Sequence, residues 1–244
     1  MQTKKSDCKN CYKCIRHCPV KSLRMTDGQA HIMRDECILC GECYVVCPQN
    51  AKEVRCDIDR AKALIEDSGR VIVSLAPSYA AVYPGYSFDD IRAALLKLGF
   101  DDAQETAIGA TIVKNEYERI IKEKEQEIII STCCPSVNML VEKHFKNALP
   151  YLANVVSPVQ AHAMAIKKAD KTAKVVFIGP CISKKAEAEK YEGQVDVVLT
   201  FDELDSWLAA EKIEIEKEEK TSKYLEGKFK EMGYNTTPAG DIPG

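Results

Sequence analysis

Eight of the chain's twelve cysteines fall in one pattern written twice. The first copy is Cys8-x-x-Cys11-x-x-Cys14-x-x-x-Cys18-Pro19. The second is Cys37-x-x-Cys40-x-x-Cys43-x-x-x-Cys47-Pro48. No other feature constrains the fold as tightly, because a fold must find partners for eight thiols within its first fifty residues. Structural zinc calls for two separated pairs rather than runs of four with a trailing proline. A disulfide framework belongs to a small secreted chain. Thiolates at the observed spacing suit 4Fe–4S clusters, with three sulfurs of a run on one cluster and the fourth reaching the other. The expected sets are Cys8, Cys11, Cys14 and Cys47 for the first cluster, and Cys37, Cys40, Cys43 and Cys18 for the second.

The segment between the runs contains Asp27-Gly28 flanked by short apolar stretches, the signature of a hairpin turn. A cysteine run and a strand, each repeated, resemble a bacterial two-cluster ferredoxin. Over residues 1–56, six Lys and four Arg oppose three Asp and three Glu, so the side chains supply positive charge that can offset anionic clusters or simply face water. The whole chain of 244 residues has a net charge of −3, which argues against nucleic acid as a partner. The amino end lacks the apolar stretch of a signal peptide, and no run is long enough for a membrane span. A reducing, cytoplasmic and anaerobic setting is expected. Cys56 stands outside the runs and is expected to be a small buried hydrophobe. His17 and His31 have no ligand role left to fill.

After residue 56 the pattern changes to alternating strands and helices. Apolar strands are expected at 71–76, 128–132, 174–179 and 195–200. Helices are expected over 57–67, 89–98, 111–125, from Pro135 to Phe145, from Pro158 onward, and over 184–191 and 201–212. Strands separated by helices imply a parallel sheet, and strands apolar throughout imply cover on both faces. The expected architecture is an α+β two-cluster ferredoxin-like module over 1–56, followed over 57–244 by an α/β domain with a parallel sheet flanked by helices. His144, His162, Met139, Met164 and Trp207 are expected to be packing or surface residues. The charge run of 211–223 is expected to be a solvated face, and residues 236–244 show no packing pattern.

In an open parallel sheet, chemistry gathers beyond the carboxyl ends of the strands. The expected strands deliver Ala76-Pro77-Ser78, Cys133-Cys134 and Cys181 there, so these cysteines are expected to converge. Thr132-Cys133-Cys134-Pro135 resembles the first signature of the iron-only (di-iron) hydrogenases. Gly179-Pro180-Cys181-Ile182-Ser183-Lys184-Lys185-Ala186-Glu187 resembles the second. Ala76-Pro77-Ser78 and Ser157-Pro158-Val159-Gln160 resemble segments that line the family's active site. A two-cluster ferredoxin module in front is a family arrangement, so the resemblance covers nearly the whole chain.

The resemblance implies that Cys134 and Cys181 ligate a third 4Fe–4S cluster linked to a di-iron unit. It implies that Cys133 passes protons, that Glu187 is the next proton carrier, and that Lys184 donates to a cyanide ligand. Ala76, Pro77, Ser78 and Ser157 would line the pocket. Dihydrogen and protons would be substrates of an oxidoreductase, and a redox partner protein (a ferredoxin or reductase subunit) would exchange electrons with the front clusters. Three departures stand out: Gly179 replaces the usual Met, Val137 the usual Trp, and Val159 a frequent Gln. These resemble the sensory branch of the family. No cysteine follows Cys181, whereas the family's third signature supplies two more, so the chain is expected to be the front part of a longer protein or a relic without its site. The alternatives are an electron-transfer protein with an inactive hydrogenase-like domain, or a relative that assembles clusters.

Overall fold

The cysteine repeat is written into the backbone as well as into the sequence. A computed structural model of the chain describes residues 1–3, 7–67 and 69–217. Strand β1 (Gln2–Thr3) leads into helix α1 (Lys13–His17), strands β2 (Leu23–Thr26) and β3 (Gln29–Ile32), helix α2 (Glu42–Val45) and strand β4 (Lys52–Glu53). The hairpin expected at Asp27-Gly28 forms, with Thr26 opposite Gln29 and both turn residues at positive φ, 50° and 73°. Left-handed backbone recurs at equivalent places in the two runs. Asn10 (φ 56°) matches Leu39 (54°), Tyr12 (59°) matches Gly41 (83°), and Lys21 (54°) matches Asn50 (50°). Such torsions cost a non-glycine residue roughly 1 kcal/mol or more. They fall at the same offsets from the first cysteine of each run, so the repeat extends to backbone conformation.

The remaining elements build the α/β layer. In order they are α3 (Ile58–Asp67), β5 (Val71–Leu75), α4 (Tyr79–Val82), α5 (Phe88–Lys97), β6 (Asp102–Glu105), α6 (Ala107–Glu123), α7 (Pro135–His144), α8 (Pro158–Ala169), β7 (Lys174–Ile178), α9 (Ser183–Lys190), β8 (Val197–Leu199) and α10 (Phe201–Ala210). The sheet is parallel, in the order β6-β5-β7-β8. Every residue of β5 is buried, and so is every residue of β8, as strands covered on both faces require. Prolines open α7 and α8, where a missing N–H costs nothing. Ser87 and Thr200 start α5 and α10 with reciprocal capping boxes, worth about 1 kcal/mol each.

One expected strand is corrected. Residues 128–132 do not join the sheet, and Ile130 makes only an isolated bridge to Leu152. The edge strand is β6 instead, which has a single partner and a polar sequence. Its Asp102 is held by Arg92, at 2.8 Å. Among the described residues no helix is long and apolar enough to cross a membrane. The charge run beyond residue 217 and the stretch 236–244 lie outside the described residues.

The chain starts its sheet at β5, steps to β6 on one side, and then crosses to β7 on the other. The order therefore reverses between β5 and β7, where an open sheet forms its crevice. Leu75 stands opposite Ile178, so the loops beginning Ala76 and Gly179 leave the sheet side by side.

Candidate metal centre

All twelve cysteines are free thiols. Two groups of them act on one another electrostatically. Burial first, then the negative potential of Cys47 and Cys8, pushes the Cys14 thiol up. Burial pushes Cys40 up, aided by Cys18 and Cys37. Burial pushes Cys43 to about 12, aided by Cys37 and Cys40 and, less, by Cys14. Each run thus meets a sulfur from the other: Cys47 joins Cys8 and Cys14, and Cys18 joins Cys37 and Cys40. Burial opposes ionisation of Cys8, but the backbone amides of Asn10 and Ala30 and the charge of Lys52 outweigh it, so that thiol is lowered.

Lys52 is 3% exposed and donates from Nζ to the Ala30 carbonyl at 3.0 Å. It favours the thiolate at Cys8, Cys14 and Cys43 alike, so the charge offset expected of the module is concentrated in one buried cation. The amides of Ser22 and Ala51 donate to Cys18 Sγ and Cys47 Sγ, both at 3.3 Å, and the two bonds are equivalent under the repeat. Donors aimed at sulfur stabilise thiolate. Among the described residues, no three His, Cys, Asp or Glu side chains converge on a single ion. The donors drawn together from the two runs are sulfurs, a soft set that suits iron–sulfur clusters.

The second constellation sits at the crevice. Lys184 and Glu187 are 7% and 6% exposed, and Lys184 Nζ donates to Glu187 Oε2 at 2.7 Å. The same ammonium reaches the Cys133 carbonyl at 3.3 Å. Ser157 Oγ donates to Glu187 Oε2 at 2.9 Å while also capping α8. Four residues singled out by motif, Cys133, Ser157, Lys184 and Glu187, therefore form one polar chain. Burial, then the neighbouring Cys134, raises the Cys181 thiol, so those two sulfurs lie within each other's field. Ala76 is buried and donates from its backbone to the Ile178 carbonyl at 2.8 Å. Pro77 is exposed. Ser78 Oγ and both side-chain polar atoms of Gln160 are buried without a hydrogen-bond partner, at a cost of about 1–3 kcal/mol for each group. Gln160 gives its backbone N–H to Ser157 Oγ at 3.4 Å, so its orphaned side chain belongs to the same neighbourhood, as a site for a polar inorganic group would leave it. Cys133-Cys134 reaches the crevice on the segment entering α7, not at the end of a sheet strand.

Gly179 fills a place where a side chain does not fit. A Cβ there would lie 2.6 Å from the Phe177 ring and 3.0 Å from Ala76 Cβ.

A cleft of about 710 Å³ is lined by Cys40 and Gly41 of the second run and by Cys134, Cys181 and Ile182 of the crevice. Gly41 stands within 3.8 Å of Ile182 Cδ1, measured from the position a Cβ would take. From the α7 side, Lys143 Nζ donates to the Cys37 carbonyl at 2.7 Å, and His144 Nε2 lies 2.7 Å from the Glu36 carbonyl.

Sequence reasoning passed over Lys185. Its Nζ donates to Asp57 Oδ2 at 2.7 Å, to Glu203 Oε1 at 2.9 Å and to the Val198 carbonyl at 3.0 Å. The one available signal was a second lysine in a short motif, which does not reveal a partner in a distant segment. Cys56, expected to be buried, is exposed and lines the cleft. Its burial was inferred from residue type alone, and the chain here runs over the surface between modules.

Free sulfurs drawn from both runs, in front of a parallel sheet with a cysteine-bearing crevice, are the features of an iron–sulfur protein. Residues 1–62 match the 4Fe–4S dicluster domain, and residues 69–239 match the iron only hydrogenase large subunit, C-terminal domain. The chain belongs to the iron-only hydrogenase large-subunit family.

Relatives differ in how much of the chain they share. The NADP-reducing hydrogenase subunit HndD of Solidesulfovibrio fructosivorans is 30% identical over 69% of this chain and 34% of its own length. The ion-translocating oxidoreductase complex of Methanosarcina acetivorans has a component that is 42% identical over 20% of this chain and 18% of its own. The cytosolic Fe-S cluster assembly factor NAR1 of Kluyveromyces lactis is 31% identical over 39% of this chain and 21% of its own. The chain thus spans about a third or less of the length of these relatives.

Proposed function

We propose that residues 1–56 hold two 4Fe–4S clusters and that residues 57–244 carry the crevice of a hydrogen-activating site with which those clusters exchange electrons. The observation that carries this reading is the cleft itself. Cys40, of the second run, and Cys181, of the second family signature, line the same space. Cys8, Cys11, Cys14 and Cys47 would hold the first cluster. Cys37, Cys40, Cys43 and Cys18 would hold the second, next to the cleft. Cys134 and Cys181 would hold the third cluster, linked to a di-iron unit.

When bound, that group supplies reversible splitting of dihydrogen into protons and electrons. The chain's own residues do the rest. Cys133 offers a thiol at the mouth of the polar chain. Lys184 fixes the Cys133 carbonyl and Glu187 together. Glu187 can take and release a proton, with Ser157 orienting the same carboxylate oxygen. Gln160, one turn beyond Ser157, carries buried side-chain polar atoms without a partner. A redox partner protein would dock at the ferredoxin-like module, and dihydrogen and protons would be the substrates.

A second reading, electron transfer alone, draws support from Lys184. Its ammonium is already engaged by Glu187 in a buried pair, so a ligand in the crevice must compete for it. The test is methyl viologen reduction by the anaerobically loaded full chain under dihydrogen and under argon. Hydrogen-dependent reduction would support the hydrogen-activating site. Viologen reduction only after dithionite treatment, with no dependence on dihydrogen, would leave the electron carrier.

A further inference from the structure

The two cysteine runs match so closely in spacing and backbone that a difference between them stands out. Five residues past the last cysteine of the first run is Leu23, and five past the last cysteine of the second is Lys52. Each opens a strand, β2 and β4 respectively, and both are buried. The fold therefore encloses the same position twice, once with a hydrocarbon side chain and once with an ammonium. Leu23 packs with Cys14, Cys18, Ala30 and Cys43, as a core residue does. A lysine is almost never enclosed to that degree unless it is paired, because a charge loses its hydration on burial.

The far end of Lys52 is fixed in the same core. Its Nζ donates to the Ala30 carbonyl at 3.0 Å. Ala30 belongs to the group of buried residues that contains Cys14, Cys18 and Cys43, with Cys8 packed against it. The cation is thus held among sulfurs of both runs. Its charge acts on Cys8 and Cys14, expected at the first cluster, and on Cys43, expected at the second. A 4Fe–4S cluster that accepts one electron gains one unit of negative charge. A fixed cation in a dry interior favours that reduced form over the oxidised one.

We propose that Lys52 is a positioning residue for electrons, a buried cation shared by the two front clusters that raises the reduction potential of both. This rests on the two-cluster reading of the runs, and it adds to that reading a residue outside both runs. Lys52 forms no bond to iron. Each cluster takes its electron from an external reductant, and the ammonium changes only how favourable that step is. One ammonium serves both clusters because both sets of sulfurs lie within its field.

The experiment is an anaerobic redox titration of the full chain, loaded with iron and sulfide. Dithionite is the reductant, and electron paramagnetic resonance of the reduced clusters is the readout. Lys52→Leu gives the second copy the residue that the first already carries, and Lys52→Met keeps the unbranched chain. Both are expected to bind as much iron as the unaltered protein. In both, the reduction equilibrium of each front cluster should fall about tenfold or more, which is about 59 mV for a one-electron step. Lys52→Arg, which keeps the charge, should recover most of that shift. A purely structural role would alter iron content or circular dichroism and leave the potentials of a fully loaded protein where they were. Unshifted potentials in a loaded neutral variant overturn the proposal. So does a shift confined to one cluster, or one that persists in Lys52→Arg. Loss of iron from both neutral variants overturns it as well, since Lys52 would then serve assembly. An unaltered chain with fewer than two one-electron steps would remove the two-cluster reading beneath it.

Discussion

At position 179 the chain departs from the family pattern, and the structure supplies the local reason. Phe177 projects its ring into the space that a Cβ of residue 179 would take, so the aromatic residue and the glycine form a pair. Gly179→Ala should destabilise the protein by about 1–3 kcal/mol through overpacking, measured as a lower urea midpoint. Phe177→Leu in the same chain should recover part of that loss. The motif residues Cys133, Ser157, Lys184 and Glu187 were legible in the sequence because each sits in a short signature. Their joining into one hydrogen-bonded chain was not legible, because the partners come from α8, α9 and the segment before α7. Lys185 shows the same limit more sharply. It neighbours Lys184 in the sequence, yet its partners are Asp57 and Glu203.

Among the elements, the longer helices of the α/β layer and three of the four strands of its sheet were legible from periodicity and apolar runs, whereas the short helices α1, α2 and α4 were not. The exchange of 128–132 for β6 has a physical cause. Three consecutive isoleucines indicate burial but name no partner, while an edge strand needs apolar contact at few positions. In β6 the fully buried residue is Ala103, and the others are polar. Close packing of α6 against α8 was equally hidden. It depends on Gly109, where a Cβ would lie 2.0 Å from the Pro158 carbonyl. That pairing helps bury His162, whose Nδ1 lies 2.8 Å from Ser74 Oγ and whose Nε2 lies 3.3 Å from Gln104 Oε1. Burial lowers the ring to about 4. An unfolded histidine takes its proton near pH 6.5, so the unfolded state binds more protons between pH 6.5 and about 4, and stability falls as pH falls through that window. Between pH 7.5 and 5.5 His162 should account for a loss of about 1 kcal/mol. His162→Gln should flatten that part of the stability–pH curve, as followed by urea unfolding. An unchanged slope would mean that the buried ring is not the group responsible.

Across the whole molecule, the two modules meet through defined contacts rather than a long linker. Lys143 and His144 reach the second cysteine run, and Asp57 anchors the connecting segment. The sheet buries its own core of β5, β7 and β8 residues, with Leu75, Ile178 and Leu199 fully enclosed. Removing one front sulfur should therefore leave the α/β layer intact. Cys14→Ser should lower bound iron by about 4 atoms while far-ultraviolet circular dichroism keeps the helical signal. Collapse of that signal would mean that the layer depends on the module for its fold.

The repeated torsions and the shared sulfurs of the module also bear on descent. A peptide with a single run would have three sulfurs turned inward and a fourth with nothing on its own chain to complete. Two copies side by side would satisfy each other. The duplicated backbone has the form of such a pair fused head to tail, and under the two-cluster reading either half, cut free again, would have to find its twin before it could hold metal.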